Sequence, residues 1–201
     1  FQVADDWMIR ANYNRAVRAP NVGDLFTPLG LGLWSGEDPC SGATPEYTAA
    51  QCANTGVSAE QYGNIVASPA SQYNSLTGGN IELKPEIADT YGLGVVANPI
   101  ENLNFSIDYW LIEMEDVIDE YGSELTVRQC AETGSAQFCD NVVRSGAGSL
   151  WLGEAGYVLN ASYNLAGRTW EGIDFDGNYE LEVGEGTITT RLVGSYFLTK
   201  E

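Results

Sequence analysis

Alternation of apolar and polar residues is the strongest pattern in the chain, and it is clearest between residues 80 and 112. The first run places Ile87, Tyr91, Leu93, Val95 and Ala97 on one face and Glu86, Ala88, Thr90, Gly92, Gly94 and Asn98 on the other. The second run places Leu103, Phe105, Ile107, Tyr109 and Leu111 opposite Asn102, Asn104, Ser106 and Asp108. A period of two is typical of β-strands. The short turn at 98–102 therefore predicts an antiparallel hairpin.

The same alternation recurs along the chain and predicts an all-β fold of long antiparallel strands. We expect strands at about 5–19, 86–98, 102–117, 168–183 and 187–199. Two long connections, about 20–85 and 118–167, alternate with two short turns, which is the rhythm of an outer-membrane barrel. The alternative is a soluble secreted β-rich ligand-binding module, which leaves both long connections unexplained.

Five strands are too few to close a barrel, because the smallest need about 8 strands and those with a plugged lumen about 22. We therefore expect residues 1–201 to be a segment of one large barrel domain of about 22 strands, without the plug domain. The chain begins at Phe1 with no basic leader, as expected of mature protein or an excised piece. It contains no run of about 18 apolar residues, so the sequence predicts no transmembrane helix.

Two stretches resemble the TonB-dependent outer-membrane receptors. The first joins Arg18, Pro20, Leu25 and Phe26, and in the family such a stretch closes a rising strand. The second begins at Asn80, and its matching residues are Leu83, Lys84, Pro85, Glu86, Asp108 and Tyr109. In the family this stretch leads into a descending strand, a short periplasmic turn and a rising strand with an Asp-Tyr pair.

The resemblance implies a transport function in the bacterial outer membrane and no enzyme activity. Such receptors bind a scarce solute, here a siderophore, cobalamin, a glycan or a peptide, and import it with energy supplied by TonB. The implied partners are outer-membrane lipid, the TonB complex acting through the plug, and a small-molecule ligand. We also expect short helices in the extracellular loops, on the local signals given below, and no cofactor.

Charge and composition narrow the function further. Nine basic and 28 acidic residues give a net charge of −19, which argues against nucleic acid as a partner. There is no histidine, which excludes Ser-His-Asp and Cys-His catalysis and histidine-containing zinc sites.

The four cysteines fall in two close pairs, Cys40 with Cys52 and Cys130 with Cys139. A zinc site would need all four thiolates drawn together from distant segments, so two local disulfides are the simpler interpretation. They imply an oxidising compartment.

Ligand-binding candidates lie on the first strand and in the two long connections. Arg10 and Arg18 are placed to contact an anionic ligand or to pair with acidic neighbours. The loop aromatics suit stacking against a ligand, or packing the loops onto each other; they are Trp34, Tyr47, Tyr62, Tyr73, Trp151 and Tyr157. Asp174, Asp176 and Asn178 suggest a calcium loop, but Tyr179 occupies the position that requires glycine, so we assign no metal site.

Local signals predict short structures within the long connections. Thr44 and Pro45 would begin a helix that reaches Cys52, and Ser123 would cap a helix that reaches Cys130. The segments 150–152 and 157–163 would form either a small hairpin or a segment that contacts the plug. Along the strands, aromatic residues are placed as interfacial girdles require; they are Trp7, Tyr109, Trp110, Trp170 and Tyr196.

Overall fold

The computed structural model describes all 201 residues, which divide into two compact units. The sheet unit comprises Phe1–Ala19, Lys84–Val117 and Asn164–Glu201, and the loop unit comprises Pro20–Leu83 and Ile118–Tyr163. None of the helices is long and apolar enough to cross a membrane.

The elements follow one another along the chain as twelve strands and four short helices. In order they are β1 (Gln2–Ala4), β2 (Trp7–Arg18), α1 (Val22–Phe26), β3 (Gly30–Ser35), α2 (Ala49–Asn54), β4 (Gln72–Thr77), β5 (Glu86–Ile100), β6 (Leu103–Glu115), β7 (Val117–Asp119), α3 (Ser123–Thr133), α4 (Ala136–Cys139), β8 (Val142–Val143), β9 (Tyr157–Leu159), β10 (Tyr163–Leu165), β11 (Arg168–Val183) and β12 (Gly186–Lys200).

The sheet unit is built on one antiparallel sheet in the order β1-β2-β5-β6-β11-β12. Its long strands pair without a break over most of their length, and β2 matches β5 from Trp7–Ala97 to Arg18–Glu86. Because the pleat alternates, this register keeps the apolar residues of neighbouring strands on the same face. The fold is therefore the all-β class that the alternation predicts.

Tight two-residue turns close both long hairpins. Ile100 pairs with Leu103, so Glu101 and Asn102 form the first turn, and Asn102 adopts a left-handed φ of 64°. This turn is shorter than the five-residue turn expected at 98–102, because β5 continues past an irregularity after Ala97. The second turn is closed by the pair Val183–Gly186, with Gly184 at a φ of 64°.

The two long connections fold together into the loop unit. Its four-stranded sheet has the order β3-β4-β9-β8, so β3 and β4 come from the first connection and β8 and β9 from the second. The junction is the parallel pair β4–β9, at Ser75–Val158 and Leu76–Leu159. A core of Tyr73, Val127, Leu150 and Val158 fills this unit, and a second cluster surrounds Cys40 and Cys52.

Three local predictions in the loops are wrong. Helix α2 is capped by Thr48 rather than Thr44, because Thr48 and Gln51 complete a capping box. Ser123 is the first residue of α3, and its hydroxyl bonds Ser75 instead of capping. The segment 157–159 pairs with β4 and β8 rather than forming a hairpin with 150–152.

Candidate functional site

One face of the six-stranded sheet carries large apolar side chains that remain exposed. Examples from successive strands are Ile9, Leu93, Ile107, Phe175 and Leu192, between 36% and 65% exposed. A contiguous apolar surface of this kind marks contact with a membrane or another protein. The face has the character expected of the outside of a membrane barrel.

Aromatic residues bound this apolar band. Trp7 packs edge-on against Phe105 near the tight turns, with ring centroids 6.1 Å apart. Toward the other end, Tyr13 lies 5.2 Å from Tyr91. Trp110, expected in the girdle, lies on the opposite face, because successive side chains of a strand point to opposite sides of the sheet and Tyr109 lies on the apolar side. Trp110 contacts Phe197 there. The pair of Tyr13 and Tyr91 was not predicted from the sequence.

Past the aromatic rings the same face becomes polar. The Tyr13 hydroxyl donates to Asp89 at 2.8 Å, and Arg15 forms a bidentate ion pair with the same carboxylate at 2.8 and 2.6 Å. The Tyr109 hydroxyl donates to Glu171 at 2.7 Å. These hydroxyls point from apolar surface toward charged groups, as aromatic side chains do where hydrocarbon meets water.

The opposite face is polar, and Arg10 is anchored at its centre. Arg10 donates to both carboxylate oxygens of Asp108, at 2.7 and 2.5 Å. The two residues lie on β2 and β6, and Gly94 of β5 is paired with both of them. A Cβ on Gly94 would lie 1.9 Å from Asp108 Oδ1, so only glycine allows the ion pair to pass over this strand. Gly92 admits the Asn12 side chain in the same way.

Two shallow depressions flank this ion pair. The first has a volume of about 370 Å³, and its polar lining includes Asn12, Thr90, Asp108 and Asp174. The second has a volume of about 310 Å³ and includes Arg10, Asp174, Asp176 and Ser195. Asp174, Asp176 and Asn178 lie along β11 and form a row rather than a calcium loop. The surface offers hydrogen-bonding groups and carboxylates.

Apart from Asp108 and Tyr109 in the middle of β6, the family-like residues lie near the end of β2 and the start of β5. Arg18, the last residue of β2, forms an ion pair with the largely buried Glu86, the first residue of β5. In the loop unit, the backbone N–H of Asn80 donates to the backbone carbonyl of Asp24 at 2.7 Å. Gly79 packs so closely on Leu25 that a Cβ would lie 2.6 Å from its carbonyl carbon. The stretch that closes β2 is therefore adjacent to the stretch that precedes β5.

Arg144 joins the two connections inside the loop unit. Its guanidinium donates to both oxygens of Asp38, at 2.7 and 2.9 Å, and the two side chains are only 3% and 1% exposed. It also donates to Thr55 and to the carbonyl of Gly148. The Asp38 carboxylate accepts the Cys40 amide as well, which ties this ion pair to the first disulfide. Nothing in the local sequence pattern singles out Arg144.

Both expected disulfides are present, Cys40–Cys52 and Cys130–Cys139. The segments that they close are held together by polar contacts. Tyr47 donates to Glu132, and this hydrogen bond, with a smaller contribution from burial, raises the pKa of Tyr47. Arg128 pairs with Glu46 at 2.8 Å and with Glu124 at 3.2 Å, and its bond to Glu46 is the largest cause of its raised pKa.

The candidate loop aromatics mostly pack within the loop unit. Tyr73 is fully buried, and Trp34 stacks on it at 4.9 Å. The Trp151 indole donates to Val66 and the Tyr62 hydroxyl to the carbonyl of Tyr47. Tyr157 is half-buried in β9. Five of the six rings therefore pack in the two core clusters, Tyr47 and Tyr62 in one and Trp34, Tyr73 and Trp151 in the other. Their role in ligand binding stays a prediction.

A two-faced sheet, with tight turns at one end and long connections at the other, defines the chain as a segment of an outer-membrane β-barrel. The family model described as "TonB dependent receptor-like, beta-barrel" matches residues 1–199. The chain belongs to the TonB-dependent receptor family, whose members are bacterial outer-membrane transport receptors rather than enzymes. This family assignment replaces the soluble-module alternative.

Solved structures agree on the fold. A variant of the ferric enterobactin receptor PfeA from Pseudomonas aeruginosa, in complex with enterobactin, is 16% identical with a TM-score of 0.54, over 98% of this chain and 21% of its own. The siderophore receptor PirA from Acinetobacter baumannii is 16% identical with a TM-score of 0.52, over 98% and 21%. This chain thus spans about a fifth of those receptors. No curated protein sequence matches it significantly.

Proposed function

We propose that this chain forms one wall segment and two extracellular connections of a receptor that imports a ferric siderophore across the outer membrane with energy from TonB. The apolar face of the sheet contacts lipid, and the face with Arg10 and Asp108 lines the lumen. The observation that carries the proposal is the exposed apolar band opposite a polar, ion-paired face. Siderophores are favoured over cobalamin, glycans and peptides because the similar solved receptors are siderophore receptors.

The sheet edges support a place within a larger barrel. β1 and β12 are the outermost strands of the six, and an exposed strand edge presents unpaired amide and carbonyl groups. In a bilayer such groups must be satisfied by neighbouring strands. Further strands of the same barrel domain, around a plug, satisfy them.

Uptake by the receptor that carries this segment tests the proposal. Cells that depend on this receptor are grown without iron and supplied with radiolabelled ferric catecholates, ferric hydroxamates and cobalamin, with and without TonB. We expect TonB-dependent accumulation of at least one ferric siderophore. Accumulation of cobalamin alone, or uptake of iron that persists without TonB, would contradict the proposal.

A further inference from the structure

The loop unit is strongly and unevenly charged. Its residues include twelve Asp and Glu but only two basic residues, Arg128 and Arg144, for a net charge of −10. No lysine lies in either of its segments. A net charge of this size around a passage changes the local concentration of charged solutes.

Neither arginine of the loop unit is available to an anionic solute. The Arg144 side chain is 3% exposed and is held by Asp38, Thr55 and Gly148. Arg128 lies between the carboxylates of Glu46 and Glu124. The unit therefore presents carboxylates to solvent without an unpaired cation beside them.

On the polar face of the sheet unit, three arginines are likewise paired with carboxylates. Arg10 is paired with Asp108, Arg18 with Glu86, and Arg191 with Asp176. Asp174 lines both depressions and is exposed. These three guanidinium groups are therefore already bound to carboxylates when an anion enters this surface.

We propose that this segment selects by charge, favouring cationic and neutral ferric complexes and disfavouring anionic ones. This inference rests on the proposed function and narrows its substrate class. We assign no binding site to any one carboxylate, because the sign of the summed electrostatic field decides which complexes are favoured. Electrostatic steering of this kind changes association rates and weakens as salt rises.

The size of the effect follows from charge and screening. For a charge of −10 on a sphere of about 17 Å radius and a Debye length of about 8 Å, a monocation whose centre lies about 3 Å outside the surface is enriched by a factor of about 2.2, and a monoanion at the same distance is depleted by the same factor. Two complexes that differ by two charges should therefore differ about fivefold in association rate.

The test uses probes that differ only in charge. Ferric trihydroxamates and ferric tris-catecholates are each prepared with a pendant ammonium, amide or carboxylate, and their association with the whole receptor is measured by stopped-flow fluorescence. Within the core that binds, we expect the ammonium form to associate about fivefold faster than the carboxylate form at physiological salt. The ratio should approach one at about 1 M salt.

A charge variant isolates the loop unit as the cause. Glu82, Asp140 and Glu154 are exposed and make no ion pair or side-chain hydrogen bond. Changing all three to lysine brings the unit to −4 and should reduce the ratio to about twofold. The matched neutral variant E82Q/D140N/E154Q should give an intermediate ratio and also guards against misfolding of the lysine variant.

The outcomes separate the two proposals. A ratio near one in the wild-type receptor, or faster association of the carboxylate form, overturns charge selection while leaving siderophore uptake intact. A fivefold ratio that neither variant changes also overturns it, because the field would then arise elsewhere in the receptor. If no probe of either core binds, the proposed function fails and charge selection fails with it.

Discussion

The ion pair of Arg144 with Asp38 gives the sharpest test of how the loop unit is held together. Changing Arg144 to Met keeps an unbranched apolar stem but removes the charge and all the hydrogen bonds to Asp38, Thr55 and Gly148. Asp38, itself 3% exposed, is then left as an uncompensated buried carboxylate. Removing one partner of a buried ion pair costs about 3 to 5 kcal/mol.

Hydrogen exchange of the whole receptor, followed by mass spectrometry, measures this loss locally. A cost of about 3 to 5 kcal/mol corresponds to a roughly 100- to 4000-fold loss of amide protection, limited by the stability of the unit itself. The loss should appear in peptides from α2 and from the segment around Arg144. Peptides from β5 and β6 should keep their protection because they belong to the sheet unit.

Arg128→Met is the matched control, because it removes an arginine from the same unit. Its partners are 56% and 42% exposed, and exposed ion pairs contribute only about 0.2 to 1 kcal/mol. Protection should therefore fall by less than about tenfold. Equal losses in the two variants would refute the argument that burial makes the Arg144 ion pair more stabilising than those of Arg128. The double variant Asp38→Asn, Arg144→Met should recover part of the loss, since no lone charge remains.

Three further predictions concern other contacts. Gly94→Ala should destabilise the receptor by about 1 to 3 kcal/mol in urea unfolding, because the added Cβ would overlap Asp108. Gly177→Ala should be nearly neutral, because the atom nearest to its added Cβ would be 3.9 Å away. Equal effects of the two changes would contradict the close-approach argument. Non-reducing mass spectrometry should find disulfide-linked peptides that join Cys40 to Cys52 and Cys130 to Cys139, and a peptide that joins Cys40 to Cys130 would contradict the pairing. Replacing either pair by serine should lower the free energy of unfolding by about 3 kcal/mol. The pKa of Tyr47 is raised in the folded state, so this residue contributes stability that is present below about pH 10 and lost as pH rises through its folded pKa. Tyr47→Phe should therefore flatten the alkaline loss of amide protection in α2. An unchanged pH profile would count against this argument.

The polar face also changes how the arginine candidates are interpreted. The sequence left Arg10 and Arg18 open between ligand contact and pairing with acidic neighbours. The structure pairs both with carboxylates on neighbouring strands, and Gly94 permits one of these pairs. Their ligand-binding role stays a prediction, and within the charge argument these arginines stabilise the wall instead of capturing anions.

Much of the sheet unit could be predicted because its signals are local. A period of two specifies a strand and its two faces within about ten residues, and a two-residue turn leaves only an antiparallel neighbour. The cysteine pairs are separated by 12 and 9 residues, so their pairing too is encoded nearby. Residues such as Pro85 and Glu86 carry the family likeness in their order along the chain.

Only the tertiary structure decided that the two long connections form one unit. The parallel pair β4–β9 and the ion pair of Arg144 with Asp38 join residues about 80 to 106 positions apart, and no local pattern encodes such partners. The structure also buries Tyr73, which the sequence left open between ligand stacking and packing of the loops. It bonds the Ser123 hydroxyl to Ser75, where local rules had assigned that hydroxyl to helix capping. The physical reason is that alternation and turn chemistry act between neighbours in the chain, whereas packing and charge pairing depend on which distant segments meet in space.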